Sequence, residues 1–162
     1  MIQGELKGRA ALMARLSKLA PNIEKYAAEA KLEVGEELAE GVKIAAPMGE
    51  MLDYVNSIEA GFISDRPSQG QVGVASTKDE KAVGLYANFI WRFLEFGTKP
   101  HNVAKGGGTV AGQKAAETGS VRMHPGSRAF PHIFTTYRAM KPKIRKRIRA
   151  AVNKAIREAK RK

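Results

Sequence analysis

Residues 91–101 read WRFLEFGTKPH, and residues 124–131 read HPGSRAFP. Both stretches are rich in aromatic residues and both carry turn chemistry. In the first, Trp91–Phe96 suits a short helix, and Gly97-Thr98 suits its stop. In the second, Pro131 suits the first turn of a further helix. Between them, AKGGGTVAGQKAAETGS holds five glycines and no bulky side chain, which predicts a loop over 101–122. A loop of that length in a folded domain is usually functional or disordered. It is expected to order where a neighbouring subunit covers it. Neither stretch reads as a catalytic device. Together they read as a framed loop on a small assembly protein.

Upstream of Trp91, a strand is predicted to begin near Val83 and to run into the short helix, with Tyr86, Phe89, Ile90, Phe93 and Leu94 on one helical stripe. Ser57–Phe62 alternates, placing Ile58, Ala60 and Phe62 on one face. Gln71–Ser76 alternates through Val72 and Val74. With Asp65–Gly70 as the turn between them, these two runs predict a hairpin. Thr77–Lys81 reads as another polar turn. The N-terminal third is helical in period: Leu12, Leu16, Leu19, Ile23, Ala27, Ala30, Val34, Leu38, Val42 and Ala45 step by three and four. Pro21 falls in register, predicting a kink or a tight join. Gly41 and Pro47 are taken to mark the helix end. Beyond Pro131, the residues Ile133, Tyr137, Met140, Ile144, Ile148, Val152, Ile156 and Ala159 define a second long stripe. It passes through Pro142, which predicts one bent helix over 131–161, about 45 Å long. The expected fold is α+β, in a single domain over 1–162. It has a long N-terminal helix, a small antiparallel sheet with a short helix, and a long basic C-terminal helix.

The chain has 162 residues, 43% hydrophobic and 27% charged, which suits one folded domain with a modest core. It has no cysteine, so disulfides, thiolate metal sites and a cysteine nucleophile are all excluded. No run approaches the length of a membrane span, and MIQGELKGRA lacks the apolar core of a cleaved secretion signal. The formal net charge is +12, yet the segment from Arg138 to Lys162 carries twelve of the 28 basic residues and one acid, Glu158. The basicity therefore belongs to the C-terminal helix. It points to phosphate, an acidic protein face or an anionic membrane. The membrane is the weakest of these, because the apolar stripe of the basic run lacks Trp and Phe.

His101, His124 and His132 lie beside prolines, with no helical His pair to suggest zinc. They are read as turn residues near an interface. Gly106–Gly108 lacks the strand, helix and Lys-Ser/Thr of a phosphate-binding loop, so flexibility is the reading taken. Glu95 is the lone acid in an aromatic run. Burial would raise it toward a general acid, but it lacks an obvious partner, and an interface ion pair or a helix-end hydrogen bond is the better reading. No catalytic residue, cofactor or metal site is expected.

Tyr86-Ala87, Phe93-Leu94-Glu95-Phe96-Gly97-Thr98 and Lys99-Pro100-His101 resemble the central motif of the neck or tail-completion proteins of long-tailed bacteriophages, also described as head–tail joining or minor tail proteins. His124-Pro125-Gly126-Ser127 with Ala129-Phe130-Pro131 is similar to that family's second motif. Ala46-Pro47 and Leu52 match a weaker third. Two departures stand out: Met48-Gly49-Glu50 replaces a usual Thr-Gly pair, and Pro131-His132-Ile133 replaces Pro-Phe-Leu. The resemblance implies a non-catalytic virion subunit, made in the bacterial host cytoplasm. It implies a homo-oligomeric ring, a hexamer, between the head-closing connector ring and the tail tube or terminator, with DNA passing through the lumen. Candidate subunit contacts are Tyr86, Phe93, Glu95, Phe96, Gly97, Thr98 and His101 from the first motif, and His124, Pro125, Gly126, Phe130 and Pro131 from the second. Lys143, Arg145, Lys146, Arg147 and Arg149 are candidates for touching an acidic partner or DNA. The alternative is a nucleic-acid-binding protein that uses the basic helix.

Overall fold

The computed structural model describes residues 14, 18, 22–48, 52–66, 70–73, 77, 79–103 and 123–161. The expectations for Leu12, Leu16, Leu19 and Pro21, and for residues 104–122, lie outside these. In order the elements are α1 (Ile23–Ala45), α2 (Leu52–Asn56), β1 (Glu59–Phe62), a 3-10 turn (Ile63–Asp65), β2 (Val83–Tyr86), α3 (Trp91–Phe96), β3 (His101–Asn102), β4 (Met123–His124) and α4 (Ile133–Ala159). The fold is α+β, with a long helix early, a small antiparallel sheet, and a long helix late.

α1 is covered on two flanks, and a glycine sits at each. A Cβ on Gly41 would lie 3.2 Å from Met140 Sδ and 3.2 Å from Thr136 Cγ2 of α4. A Cβ on Gly35 would lie 2.7 Å from Val83 Cγ1 of the sheet. Gly41 is therefore inside the helix, at a close crossing, and does not end it. The end comes at Ala45, because Ala46 precedes Pro47. The proline ring disfavours helical geometry for the residue before it, and Ala46 is extended at φ −67° and ψ 149°.

α4 runs antiparallel to α1. Tyr26 Oη donates to Glu158 Oε2 at 2.8 Å. Lys143 Nζ reaches Glu37 Oε2 at 2.8 Å, and Arg147 also pairs with Glu37. The stripe predicted for α4 faces inward only in part. Ile133 and Ala155 are fully buried, Ile144, Ile148, Val152 and Ile156 are half-buried, and Tyr137 is exposed. The helix continues through Pro142.

β1 pairs with β2, from Glu59↔Tyr86 to Phe62↔Val83. This corrects the expected hairpin between Ser57–Phe62 and Gln71–Ser76. Gln71 instead forms an isolated bridge to Tyr86, and Val72 N–H donates to Leu85 O at 2.8 Å. Residues 74–76 lie outside the description. Alternation assigns faces, not partners. The entropy of closing a longer loop rises only slowly with length, so the nearer run in sequence has little advantage. A second correction concerns His101. It lies in β3 rather than at the start of a loop, paired with His124 of β4.

The core joins Val42 and Ala46 after α1's midpoint with Tyr54, Ile58, Ala87, Trp91 and Ile133. Full burial of a side chain such as Ile58 stabilises by about 1.5–3 kcal/mol. The short helix α2 adds to the expected elements and delivers Tyr54 to this core. α3 turns Trp91 and Glu95 inward. Of the stripe expected there, Tyr86 is buried and Ile90 and Leu94 pack on the core, whereas Phe89 and Phe93 are exposed.

Candidate functional site

The two aromatic motifs, separated by an internal segment, come together as one joint. Thr98 N–H donates to Ser127 O at 3.0 Å, and Ser127 N–H returns to Thr98 O at 3.1 Å. Phe130 N–H donates to Leu94 O at 2.7 Å. His101 and His124 stack with ring centroids 5.1 Å apart. His101 Nδ1 donates to Lys99 O at 2.9 Å, whereas His124 Nδ1 accepts from Gly126 N–H at 3.0 Å. His101 thus holds a proton on Nδ1 and His124 does not. Gly97 and Gly126 adopt left-handed backbone at φ 72° and 89°, which L side chains rarely tolerate. A Cβ on Gly97 would also lie 2.6 Å from Ser127 O.

Behind this joint, Glu95 is buried and caps α4. Its Oε2 accepts the backbone N–H groups of His132 at 2.8 Å and Ile133 at 2.9 Å. Its Oε1 accepts that of Phe134 at 3.0 Å. The first amides of a helix have no partner within it, and a negative charge there is favoured by the helix dipole. The helix-end reading of Glu95 thus holds, at the start of α4 rather than at the end of its own helix.

His132 extends the network. The Phe130 carbonyl can only accept, so His132 Nδ1 carries the proton that reaches it at 2.7 Å. Its Nε2 then accepts from Tyr54 Oη at 2.5 Å. Burial, and after it the charge of Glu95, pushes Tyr54 well above the ordinary tyrosine value, so the phenol keeps its proton and remains the donor. Tyr54, Glu95 and His132 are 1%, 3% and 1% exposed. These are residue types suited to acid–base chemistry, but they are closed to substrate and spend their polar atoms on one another. No sequence pattern links them, because Tyr54 and His132 are 78 residues apart.

The outer surface of the joint is apolar. Phe89, Phe93, Phe96 and Phe130 are 71%, 50%, 64% and 49% exposed. Phe89 and Phe93 meet edge-on at 6.3 Å, and Phe96 lies 5.9 Å from Phe134. His101, His124, Pro125 and Pro131 are exposed, Gly126 and Thr98 are half-buried, and Tyr86 is inside. Tyr86 lies under the Arg66 guanidinium, 5.2 Å from its ring centroid. The basic candidates divide into two groups. Lys143 and Arg147 are paired with Glu37 of the same chain. Arg145, Lys146 and Arg149 line a shallow cleft with Arg138, Lys141 and Pro142. Among the described residues, no three His, Cys, Asp or Glu side chains converge as for a metal, and no helix is long and apolar enough to cross a membrane.

Residues 10–97 match the HK97-gp10-like family, described as "Bacteriophage HK97-gp10, putative tail-component". That span is more than half of the chain. It takes in α1, both strands of the β1–β2 sheet and α3, and it ends at Gly97. The chain belongs to this family. The family-level expectation is borne out: the HK97-gp10-like family is described as one of bacteriophage tail components. The match contains Ala46-Pro47, Tyr86-Ala87 and Phe93–Gly97, while the second motif and α4 of the HK97-gp10-like chain lie beyond it. No curated protein and no solved structure matches the chain.

Proposed function

We propose that this tail component is a structural, non-catalytic subunit of the virion neck. Six copies form a ring between the head-closing connector ring and the tail tube or its terminator, and DNA passes through the lumen. The subunit is made in the host cytoplasm, needs no cofactor and crosses no membrane. The observation that carries the reading is the exposure of four phenylalanines on and around the joint, Phe89 and Phe93 in edge-on contact, with Phe96 and Phe130. Clustered exposed aromatics support protein docking. The joint has left-handed glycines, a backbone bridge and a buried cap, which supports a preorganised contact. A ring requires such a patch to meet a different patch on the next copy.

The test is sedimentation and negative-stain imaging of the purified chain beside a Phe93→Ser/Phe96→Ser variant. Both side chains are exposed, so helix content should be unchanged by circular dichroism. The wild type should form rings and the variant should sediment as a smaller species. Equal rings from both would remove the aromatic contact. A wild type that stays monomeric at high concentration and is missing from purified particles would end the neck-ring reading.

The rival is a nucleic-acid-binding protein, and it draws on the cleft of Arg138, Arg145, Lys146 and Arg149. Tight, strongly salt-dependent duplex binding by the monomer is its signature.

A further inference from the structure

α1 carries a row of carboxylates beside its groove with α4, and α4 carries a basic cleft lined by none of the residues of that groove. On α1, Glu29, Glu33, Glu36 and Glu40 follow one another at steps of four, three and four, and all four are exposed. That spacing places them on one face. Glu29 and Glu40 have nearby lysines on their own helix, Lys25 at 4.0 Å and Lys43 at 2.7 Å. Glu33 and Glu36 have no cation partner among the described residues. On α4, Arg138, Arg145, Lys146 and Arg149 are exposed and have no carboxylate partner among the described residues. Their cleft is not the one that holds the α1–α4 ion pairs. Glu37, Lys143 and Arg147 line a separate groove together with Glu33, Glu36 and Glu40.

The two faces also match in extent. Glu29 to Glu40 and Arg138 to Arg149 each advance eleven residues along a helix, roughly 16 Å. Each carries some apolar surface. The acidic groove includes Ile44 and Met140, with Ile44 79% exposed. The basic cleft includes Pro142 and the aliphatic stems of its arginines and lysines. Within the protomer, Lys143 and Arg147 take up Glu37 in the acidic groove, which leaves Glu33 and Glu36 at its rim for a cationic surface from outside the protomer.

We infer that the acidic face of α1 docks on the basic face of α4 in a second copy of this chain, head to tail. The contact uses different patches on the two copies, so a growing assembly keeps one free acidic patch at one end and one free basic patch at the other, and association continues until it closes. This deepens the ring reading and rests on self-association. It assigns the basic cleft to protein carboxylates rather than to DNA phosphates. Charge pairing of this kind sets orientation and encounter rate, and weakens with salt.

The experiment uses two variants of the full chain, E33K/E36K/E40K and R138E/R145E/R149E. All six side chains are exposed, and unchanged circular dichroism checks the fold. Each variant alone sets like charge against like. Its half-assembly concentration, read by native mass spectrometry and sedimentation, should rise by on the order of tenfold or more. Mixed one to one, the variants present opposite charges at both contacts, so the mixture should regain the wild-type assembly. Rising salt should weaken the wild type and the mixture alike. Failure of the mixture to assemble overturns the inference. Variants that each assemble as the wild type overturn it too, and leave the neck-ring reading in place. If R138E/R145E/R149E assembles normally but loses duplex DNA binding, the cleft belongs to nucleic acid. A wild type that never assembles removes both this pairing and the ring.

Discussion

Glu95 Oε2 lies 2.8 Å from the backbone nitrogen of His132, 37 residues further along the chain. A side chain from a six-residue helix thereby caps the 27-residue helix α4. The contact places the outward phenylalanines of α3 and the start of the basic helix on one buried anchor. Anything that loosens Glu95 should move both surfaces together.

Replacing Glu95 should therefore be costly. Glu95→Ala strands three amides at the buried start of α4 and should destabilise by about 3 kcal/mol. Glu95→Gln keeps one acceptor but brings an NH2 group toward amide donors, and should cost about 1–2 kcal/mol. Urea unfolding followed by circular dichroism reads both. Losses below about 0.5 kcal/mol for the alanine variant would mean that water caps the helix equally well.

Tyr54→Phe removes the donor to His132 Nε2 and should cost about 1–2 kcal/mol near neutral pH. The wild type should also lose stability in alkali. Below the ordinary tyrosine value of 10.0 both folded and unfolded states hold the proton. Above it the unfolded chain ionises while the buried phenol stays protonated, so the contribution falls as pH rises. Tyr26, raised chiefly by its hydrogen bond to Glu158, acts in the same direction. The gap in urea midpoint between wild type and Tyr54→Phe should narrow as pH passes that value, and a constant gap would contradict the assignment.

Glu37 gives the opposite dependence. The hydrogen bond from Lys143, with the charge of Arg147 beside it, holds the carboxyl below its ordinary value of 4.5 against partial desolvation. Its contribution is present above that ordinary value and is lost as pH falls through the lower folded one. Glu37→Gln should be less stable than the wild type at neutral pH and nearly equal to it in acid. Added salt should shrink the difference, since these pairs are partly exposed. A difference that grows on acidification would count against the pair.

Gly126→Ala should destabilise by about 2 kcal/mol or more, because an L side chain strains φ 89° and a Cβ would press on the Thr98 carbonyl and come 3.0 Å from Lys99 C. The visible effect should be faster limited proteolysis between His101 and His124 together with a lower melting temperature. An unchanged melting temperature would show that the turn relaxes freely.

Much of the plan was readable along the chain. The three-and-four stepping of Ala30, Val34 and Val42, the stripe from Ile133 to Ile156, and the concentration of charge after Arg138 are local properties, and period and composition express local properties directly. Gly97 as a stop and the pairing of Ala46 with Pro47 are local too, since each acts within a residue or two of itself. The partner of β1, the inward turn of Glu95 beside Trp91, and the meeting of Tyr54 with His132 came from packing alone. Each depends on which distant surface is buried against which, and a side chain's burial is a property of its neighbours in space rather than of its neighbours in sequence. The same holds for the charges: twelve basic residues in one segment were countable, but only the placement of Glu37 beside Lys143 and Arg147 separated the cations used inside the protomer from those left facing outward.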